Sequence, residues 1–124
     1  MKDPSNPVCR TISTLLSRIG DKWTVLVVAT LGDGPRRFNE LRREIPSVSQ
    51  RMLTLTLRNL ERDGLVNRTV TPSIPPRVDY ELTDLGRSLQ KPIMALEQWA
   101  LDNVGTIHQA QARFDMEHDK AEAA

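Results

Sequence analysis

Apolar residues recur every three to four positions along most of the chain, which is the spacing of one face of an α-helix. Before residue 46 this pattern predicts three helices, over residues 10–19, 23–31 and 38–45. Gly20 is placed to end the first helix, and Pro46 ends the third because proline cannot continue a helix. The second segment is apolar on nearly all sides, so we expect it to lie in the middle of the core.

A fourth helix is predicted over residues 49–63. Leucines at i, i+4 and i+7 form its inward face: Leu53, Leu57 and Leu60. That orientation displays polar side chains outward, namely Gln50, Arg51, Thr54 and Arg58. Ser47 or Ser49 can cap the start of the helix, and Gly64 supplies the left-handed residue that ends it.

After residue 64 the helical spacing gives way to alternation. Residues 65–72 and 77–82 alternate apolar and polar side chains around a short SIPP loop, so they predict a β-hairpin. Beyond it, Thr83 is placed to cap a helix with a wide apolar surface, and a separate last helix is expected after Gly105. The predicted fold class is therefore mainly α with a small antiparallel β-hairpin.

Helices followed by a hairpin, with the last helix amphipathic and rich in arginine, have the order of a winged helix-turn-helix. Residues 49–63 are then the recognition helix, residues 46–48 the turn, and residues 72–76 the wing. The candidate DNA contacts are Arg36, Arg37, Ser49, Gln50, Arg51, Thr54, Arg58 and Arg77. Met52 and Leu55 fit neither face of the recognition helix, so they either touch thymine methyl groups or border the core.

Length and composition are those of one soluble domain. The chain has 124 residues, of which 39% are hydrophobic, 27% charged and 4% aromatic. We expect a single domain over residues 1–124, with its core over about 9–90 and C-terminal dimerisation helices over about 84–120. No apolar run approaches the roughly 20 residues that span a bilayer, and the first residues lack the apolar core of a secretory signal. A cytoplasmic location is expected.

Charge is distributed unevenly along the chain. Residues 35–78 hold nine arginines against four acidic residues, a balance of +5, whereas residues 97–124 hold six acidic residues against two basic ones, a balance of −4. A basic middle segment favours contact with a polyanion, although a solvated charged surface explains the same numbers.

Catalytic and metal sites are not expected. His108 and His118 lie ten residues apart in an acidic segment, without cysteines or a repeated ligand spacing. The sequence has no glycine-rich phosphate loop and no nucleophile motif. We therefore expect no enzymatic activity, no cofactor and no metal.

Several motifs together resemble the HxlR family of bacterial transcriptional regulators. The similarity covers roughly residues 9–90 and rests on the strings GDKWT, GPRRFNELRR, SQRMLT, LERDGLV and PPRVDYELTDLG. It implies a homodimeric winged-helix protein that binds double-stranded DNA at its own or a neighbouring promoter. It also implies a cysteine close to the first helix, which some members use to sense oxidants or electrophiles, and Cys9 occupies that place.

Three choices stay open at this point. The chain is either a DNA-binding regulator, expected to be a repressor on a palindromic operator, or a winged helix that binds another protein. Outward arginines favour DNA, because a protein-binding version would more often display apolar anchors. The apolar surfaces of the first and last helices form a dimer interface or cover the monomer core. Cys9 is either a thiol switch or a small apolar side chain packed against Leu16 or a partner chain.

Overall fold

The computed structural model describes the backbone of residues 6–123 and the side chains of residues 6–119. The ends of the predicted domain, residues 1–5 and 124, lie outside the described residues. The elements follow in the order α1 (Pro7–Ile19), α2 (Lys22–Leu31), β1 (Arg36–Arg37), α3 (Phe38–Glu44), α4 (Gln50–Arg62), β2 (Val66–Thr71), β3 (Arg77–Leu82) and α5 (Asp84–Ala123). This is the predicted winged helix-turn-helix, with one strand more than expected.

Side chains that accept backbone hydrogen bonds fix where the helices begin. The Asn6 side chain accepts from the backbone N–H of Val8 (2.8 Å) and Pro7 occupies the first turn, so α1 begins three residues earlier than predicted. Asp21 accepts from the N–H groups of Trp23 (2.9 Å) and Thr24 (3.2 Å) at the start of α2.

The core of residues 1–90 is built around α2 and α4. Val27 and Val28 of α2 are fully buried, as expected for a helix that is apolar on most sides. The predicted inward leucines of α4 are buried as well: Leu53, Leu57 and Leu60. Thr56 joins them at 5% exposure, a position that the leucine spacing alone did not assign to the core. Burial of this face fixes which side of α4 points outward.

The sheet has three antiparallel strands in the order β1-β3-β2. The predicted hairpin forms with Val66 opposite Leu82 and Val70 opposite Val78. The additional strand β1 places Arg36 opposite Tyr80 on the other edge of β3. A strand of two residues is too short for its alternation to be detected in the sequence.

The start of α5 is held close to the end of α4. Gly64 adopts φ 76° and ends α4 in the left-handed conformation, as predicted. Thr83 caps α5 as predicted: its hydroxyl accepts from the N–H of Gly86 (3.0 Å) and donates to the carbonyl of Gly64 (2.7 Å). A Cβ at Gly86 would clash with the carbonyl oxygen of Leu65, so this close approach requires glycine.

The chain divides into two compact units, residues 1–90 and 91–124. α5 runs through both Pro92 and Gly105, so the prediction of a separate helix after Gly105 is wrong. An isolated glycine inside a helix costs only about 1 kcal/mol relative to alanine, and the surrounding helix-forming residues offset that cost. The assignment of a single domain stays a prediction. Within residues 6–123, no helix combines the length and the apolar character needed to cross a membrane.

Candidate nucleic-acid interface

The turn between α3 and α4 sets the direction in which α4 begins. Ile45 and Val48 are buried on either side of Ser47, which adopts a left-handed φ of 69°. Of the two serines that could cap α4, Ser49 does so: its Oγ accepts from the backbone N–H of Met52 (3.0 Å). The predicted site residue Ser49 therefore has a structural role at the first turn.

The outward face of α4 carries the predicted polar side chains. Gln50, Arg51, Thr54 and Arg58 are all exposed. The Thr54 hydroxyl donates to the carbonyl of Gln50 (2.8 Å), so its proton is used within the helix. The Gln50 amide and the guanidinium groups of Arg51 and Arg58 are thus the principal donors on this face.

The wing projects exposed side chains from the hairpin. Within the loop at residues 72–76, the Ser73 hydroxyl donates to the carbonyl of Pro75 (2.8 Å). Arg77 follows the loop with about half of its side chain exposed, and its Nε donates to Asp79 Oδ2 (3.0 Å). This ion pair holds Arg77 at the base of the wing, where the sequence placed it.

Two adjacent arginines of the predicted site have different surroundings. The Arg36 guanidinium donates to Glu44 (2.8 Å) and to the carbonyls of Gly34 (3.1 Å) and Pro35 (3.0 Å). Arg37 is exposed, and its backbone N–H donates to the Glu40 carboxylate (3.0 Å). Arg36 thus joins the turn to α3, whereas the Arg37 side chain extends from the surface.

Arg68 is a candidate that the sequence analysis missed. It stands opposite Tyr80 in the sheet and lines a groove of about 340 Å³ together with Arg58 of α4. In the alternating pattern Arg68 falls on the same face as the apolar Val66 and Val70. A charged side chain between two valines on one face of the strand is the sequence signal that could have identified it.

Most arginines of the basic segment are not neutralised. Of the nine arginines in residues 35–78, Arg36 pairs with Glu44 and Arg77 with Asp79. The other seven are exposed and form no ion pair with any residue that the structure describes: Arg37, Arg42, Arg43, Arg51, Arg58, Arg62 and Arg68. These elements therefore present a surface of uncompensated positive charge.

An ion pair joins α1 to the end of α4. Arg18 in the last turn of α1 donates to Asp63 (2.6 Å) and to the carbonyl of Asn59 (3.3 Å), and both charged side chains are about four-fifths buried. Asp63 therefore pairs with an arginine of another helix, because the fold brings the two helix ends together.

Cys9 lies in the first turn of α1 and is 7% exposed. This burial is what the packing alternative expects, and the role of Cys9 as a thiol switch stays a prediction. Within residues 6–119, no group of three or more His, Cys, Asp or Glu side chains is arranged to hold a metal ion.

Comparison with known proteins gives consistent matches. The profile of the HxlR-like helix-turn-helix family matches residues 18–108. An HTH-type transcriptional regulator of Methanothermobacter thermautotrophicus is 50% identical over 88 residues, which cover 71% of this chain and 67% of that protein.

Two solved structures have a similar fold. The redox regulator HypR in its reduced form matches with a TM-score of 0.73 and 41% identity, covering 80% of this chain and 98% of that one. Diamide-treated YodB from Bacillus subtilis matches with a TM-score of 0.67 and 36% identity, covering 78% and 96%.

Replacing Arg36 and Arg37 one at a time by alanine should separate their roles. We expect Arg36→Ala to lower the free energy of unfolding by about 1 kcal/mol, because three acceptors lose their donor. Arg37→Ala should change it by less than about 0.5 kcal/mol, because an exposed side chain is removed. Urea unfolding followed by circular dichroism measures both values, and equal losses for the two variants would contradict this division.

Proposed function

Because this chain belongs to the HxlR-like helix-turn-helix family, we propose that it represses transcription as a homodimer bound to a palindromic operator. It is a transcriptional regulator of the HTH type, and regulators of this family bind DNA. Under this proposal it acts in the cytoplasm and catalyses no reaction. A dimer that occupies a promoter blocks transcription by occupancy.

The observation that carries DNA binding is the set of seven exposed arginines without an ion-pair partner among the described residues. They lie on or beside α3, α4 and the sheet, the elements that a winged helix-turn-helix brings to DNA. Uncompensated charge repels itself in the isolated protein and is stabilised by contact with phosphates. A surface that binds another protein would gain no stabilisation from phosphates. The uncompensated positive charge therefore favours DNA over a protein partner.

We propose that different side chains recognise the bases and position the protein on the DNA backbone. α4 enters the major groove, where Gln50 and Arg51 near its N-terminus reach base edges. Arg58 and Arg68, which line one groove between α4 and the sheet, are suited to hold a phosphate between them. Arg77 at the wing reaches a phosphate or the minor groove.

Exposed apolar side chains support the homodimer. On α1 these are Val8, Leu15 and Leu16, and on α5 beyond residue 91 they are Met94, Leu96, Trp99, Leu101, Val104, Ile107, Phe114 and Met116. Apolar surfaces of this width are uncommon on monomers. A second copy of the chain, related by a two-fold axis, would cover them and place two α4 helices for two half-sites.

Redox control through Cys9 is the second part of the proposal. Its support is the position of Cys9 in the first turn of α1, the ion pair that joins the end of α1 to α4, and the similarity to HypR and YodB. A modified thiol is bulkier than the native one, so its formation at a buried position would displace the start of α1. Burial at 7% exposure implies that oxidants react only when this first turn opens.

DNA binding should depend steeply on salt. A dimer that neutralises about 6–10 phosphates has a slope of log K against log salt between about −5 and −9. Arg77→Ala should weaken binding to all sequences evenly and reduce the slope by about 2 per dimer, whereas Arg51→Ala should relax base preference. Fluorescence anisotropy with the flanking promoter DNA measures each value.

Arg113→Ala is the matched control, since it removes an exposed arginine outside the basic segment and should leave the slope unchanged. A slope near zero for the native protein would contradict DNA binding and leave the protein-interaction alternative.

Oligomeric state tests the symmetric arrangement. We expect a mass twice that of the 14.0 kDa chain, and a footprint of two half-sites about 34–36 Å apart or a multiple of that distance. Trp99→Glu should dissociate the dimer by burying a charge in the interface. Sedimentation equilibrium measures the mass.

Ile74→Glu supplies the control, because Ile74 is an exposed apolar side chain in the loop of the wing and belongs to neither α1 nor α5. The Ile74→Glu variant should remain dimeric. A monomer on one asymmetric half-site would refute the symmetric model.

Cys9→Ser should abolish any redox response. Diamide takes up two electrons and two protons as two thiols join in a disulfide, and Cys9, the chain's single cysteine, needs a second thiol from the partner chain or from added glutathione. We expect oxidation to change operator affinity of the native protein by about 5-fold or more and to leave Cys9→Ser unchanged. Equal affinities in all four conditions would reduce Cys9 to a packing residue.

A further inference from the structure

The winged-helix region exposes few large apolar side chains. Between residues 22 and 82, all of which the structure describes, these are Leu55, Val70 and Ile74. Ile74 and Val70 belong to the wing and its strand, whereas Leu55 belongs to α4 and is 50% exposed. Leu55 is therefore the large apolar side chain that the recognition helix itself exposes.

Leu55 lies beside the arginines of the outward face, on the side of α4 that borders α1. At about 100° per residue, Leu55 lies on the side opposite the buried leucines Leu53 and Leu60. Arg51 is one turn before it and Arg58 one turn after it, and both are exposed. The basic surface of α4 thus contains an apolar position between two arginines.

Contacts within the monomer cover only part of the Leu55 side chain. Leu55 and Met52 border a groove of about 230 Å³ where α4 faces residues of α1 such as Thr14 and Ser17. Half of the Leu55 surface stays outside that contact. A polar side chain at this position would leave the buried face of α4 unchanged.

The major groove offers one apolar group that such a side chain can contact. Thymine presents its C5-methyl group there, while the other base edges present hydrogen-bond donors and acceptors. A leucine between two arginines would remove a methyl group from water, while the arginines on either side contact phosphates or guanine. Cytosine at the same place would present an amino group that leucine cannot satisfy.

We propose that Leu55 is a specificity-determining residue that selects thymine at one position of each half-site through contact with the 5-methyl group. This inference rests on the proposed function, because it requires α4 to lie in the major groove. It adds an apolar contact to the hydrogen bonds expected from Gln50 and Arg51.

Deoxyuridine substitution isolates the methyl group. The operator is first selected from a library of random duplexes by binding to the native protein, and each thymine is then replaced singly by deoxyuridine, which pairs identically but lacks the methyl. At one thymine per half-site we expect the native protein to lose about 4-fold in affinity, the value for one buried carbon group. Leu55→Ala should bind thymine and deoxyuridine equally there.

Two further variants complete the experiment. Arg58→Ala removes a neighbour on the same face, so it should weaken binding to every duplex yet keep the loss on deoxyuridine substitution. Leu55→Gln retains a good helix former at an exposed position and should reproduce the insensitivity of Leu55→Ala. Thermal melting of each variant reports the state of the fold.

The possible results distinguish failure of this inference from failure of the proposed function. If the native protein selects no duplex, both fail. If it binds a selected operator but has no sensitive thymine, or if Leu55→Ala and Leu55→Gln keep the native sensitivity, DNA binding stands and the role of Leu55 is refuted. A large fall in melting temperature for Leu55→Ala with unchanged sensitivity would assign Leu55 to packing.

Discussion

Burial of the inner face of α4 against α2 is the contact on which the rest of the arrangement depends. Val27 and Val28 meet a helix whose Leu53, Thr56 and Leu57 are all turned inward, and this burial fixes α4 in rotation about its own axis. Rotation of α4 by about half a turn would instead bring Arg51, Arg58 and Arg62 into the core, at the cost of burying unpaired charges. The outward direction of the candidate DNA contacts is therefore a consequence of core packing.

Arginines in this fold serve two separate purposes, and the surroundings of each side chain decide which. Arg18 and Arg36 are largely buried, and each donates to a carboxylate and to at least one carbonyl, so their charge is compensated within the chain. Arg37 is adjacent to Arg36 but exposed, and its guanidinium forms no ion pair with the residues described. Residue type alone could not have separated these two roles, because the side chain is arginine in each case and only its tertiary contacts differ.

Local signals in the sequence were sufficient wherever neighbours along the chain determine the structure. The leucine spacing of α4, the caps at Ser49 and Thr83 and the left-handed Gly64 depend on residues within one or two turns. All of these were predicted, with Ser49 as one of two serines that could cap α4.

Features that depend on tertiary contacts were missed or left open. Strand β1 exists because its two residues pair with β3, more than forty positions away. Arg68 lines a groove that forms only once the sheet lies beside α4. Asp63 finds its partner on α1 for the same reason. The burial of Cys9 also follows from the packing of α1, and the sequence left it as one of two alternatives.

The geometry of α1 gives the proposed regulation a physical route. Cys9 is near its N-terminus, the exposed Leu15 and Leu16 lie further along, and Arg18 at its last turn holds Asp63 at the end of α4. A helix of 13 residues is about 20 Å long, and its hydrogen-bonded backbone couples a displacement at one end to the other end. A displacement at Cys9 would therefore act both on the apolar surface proposed for the dimer and on the anchor of the recognition helix. Under the proposed function, two half-sites at a fixed separation would tolerate little change in the distance between two α4 helices, so operator affinity would be sensitive to small movements of α1.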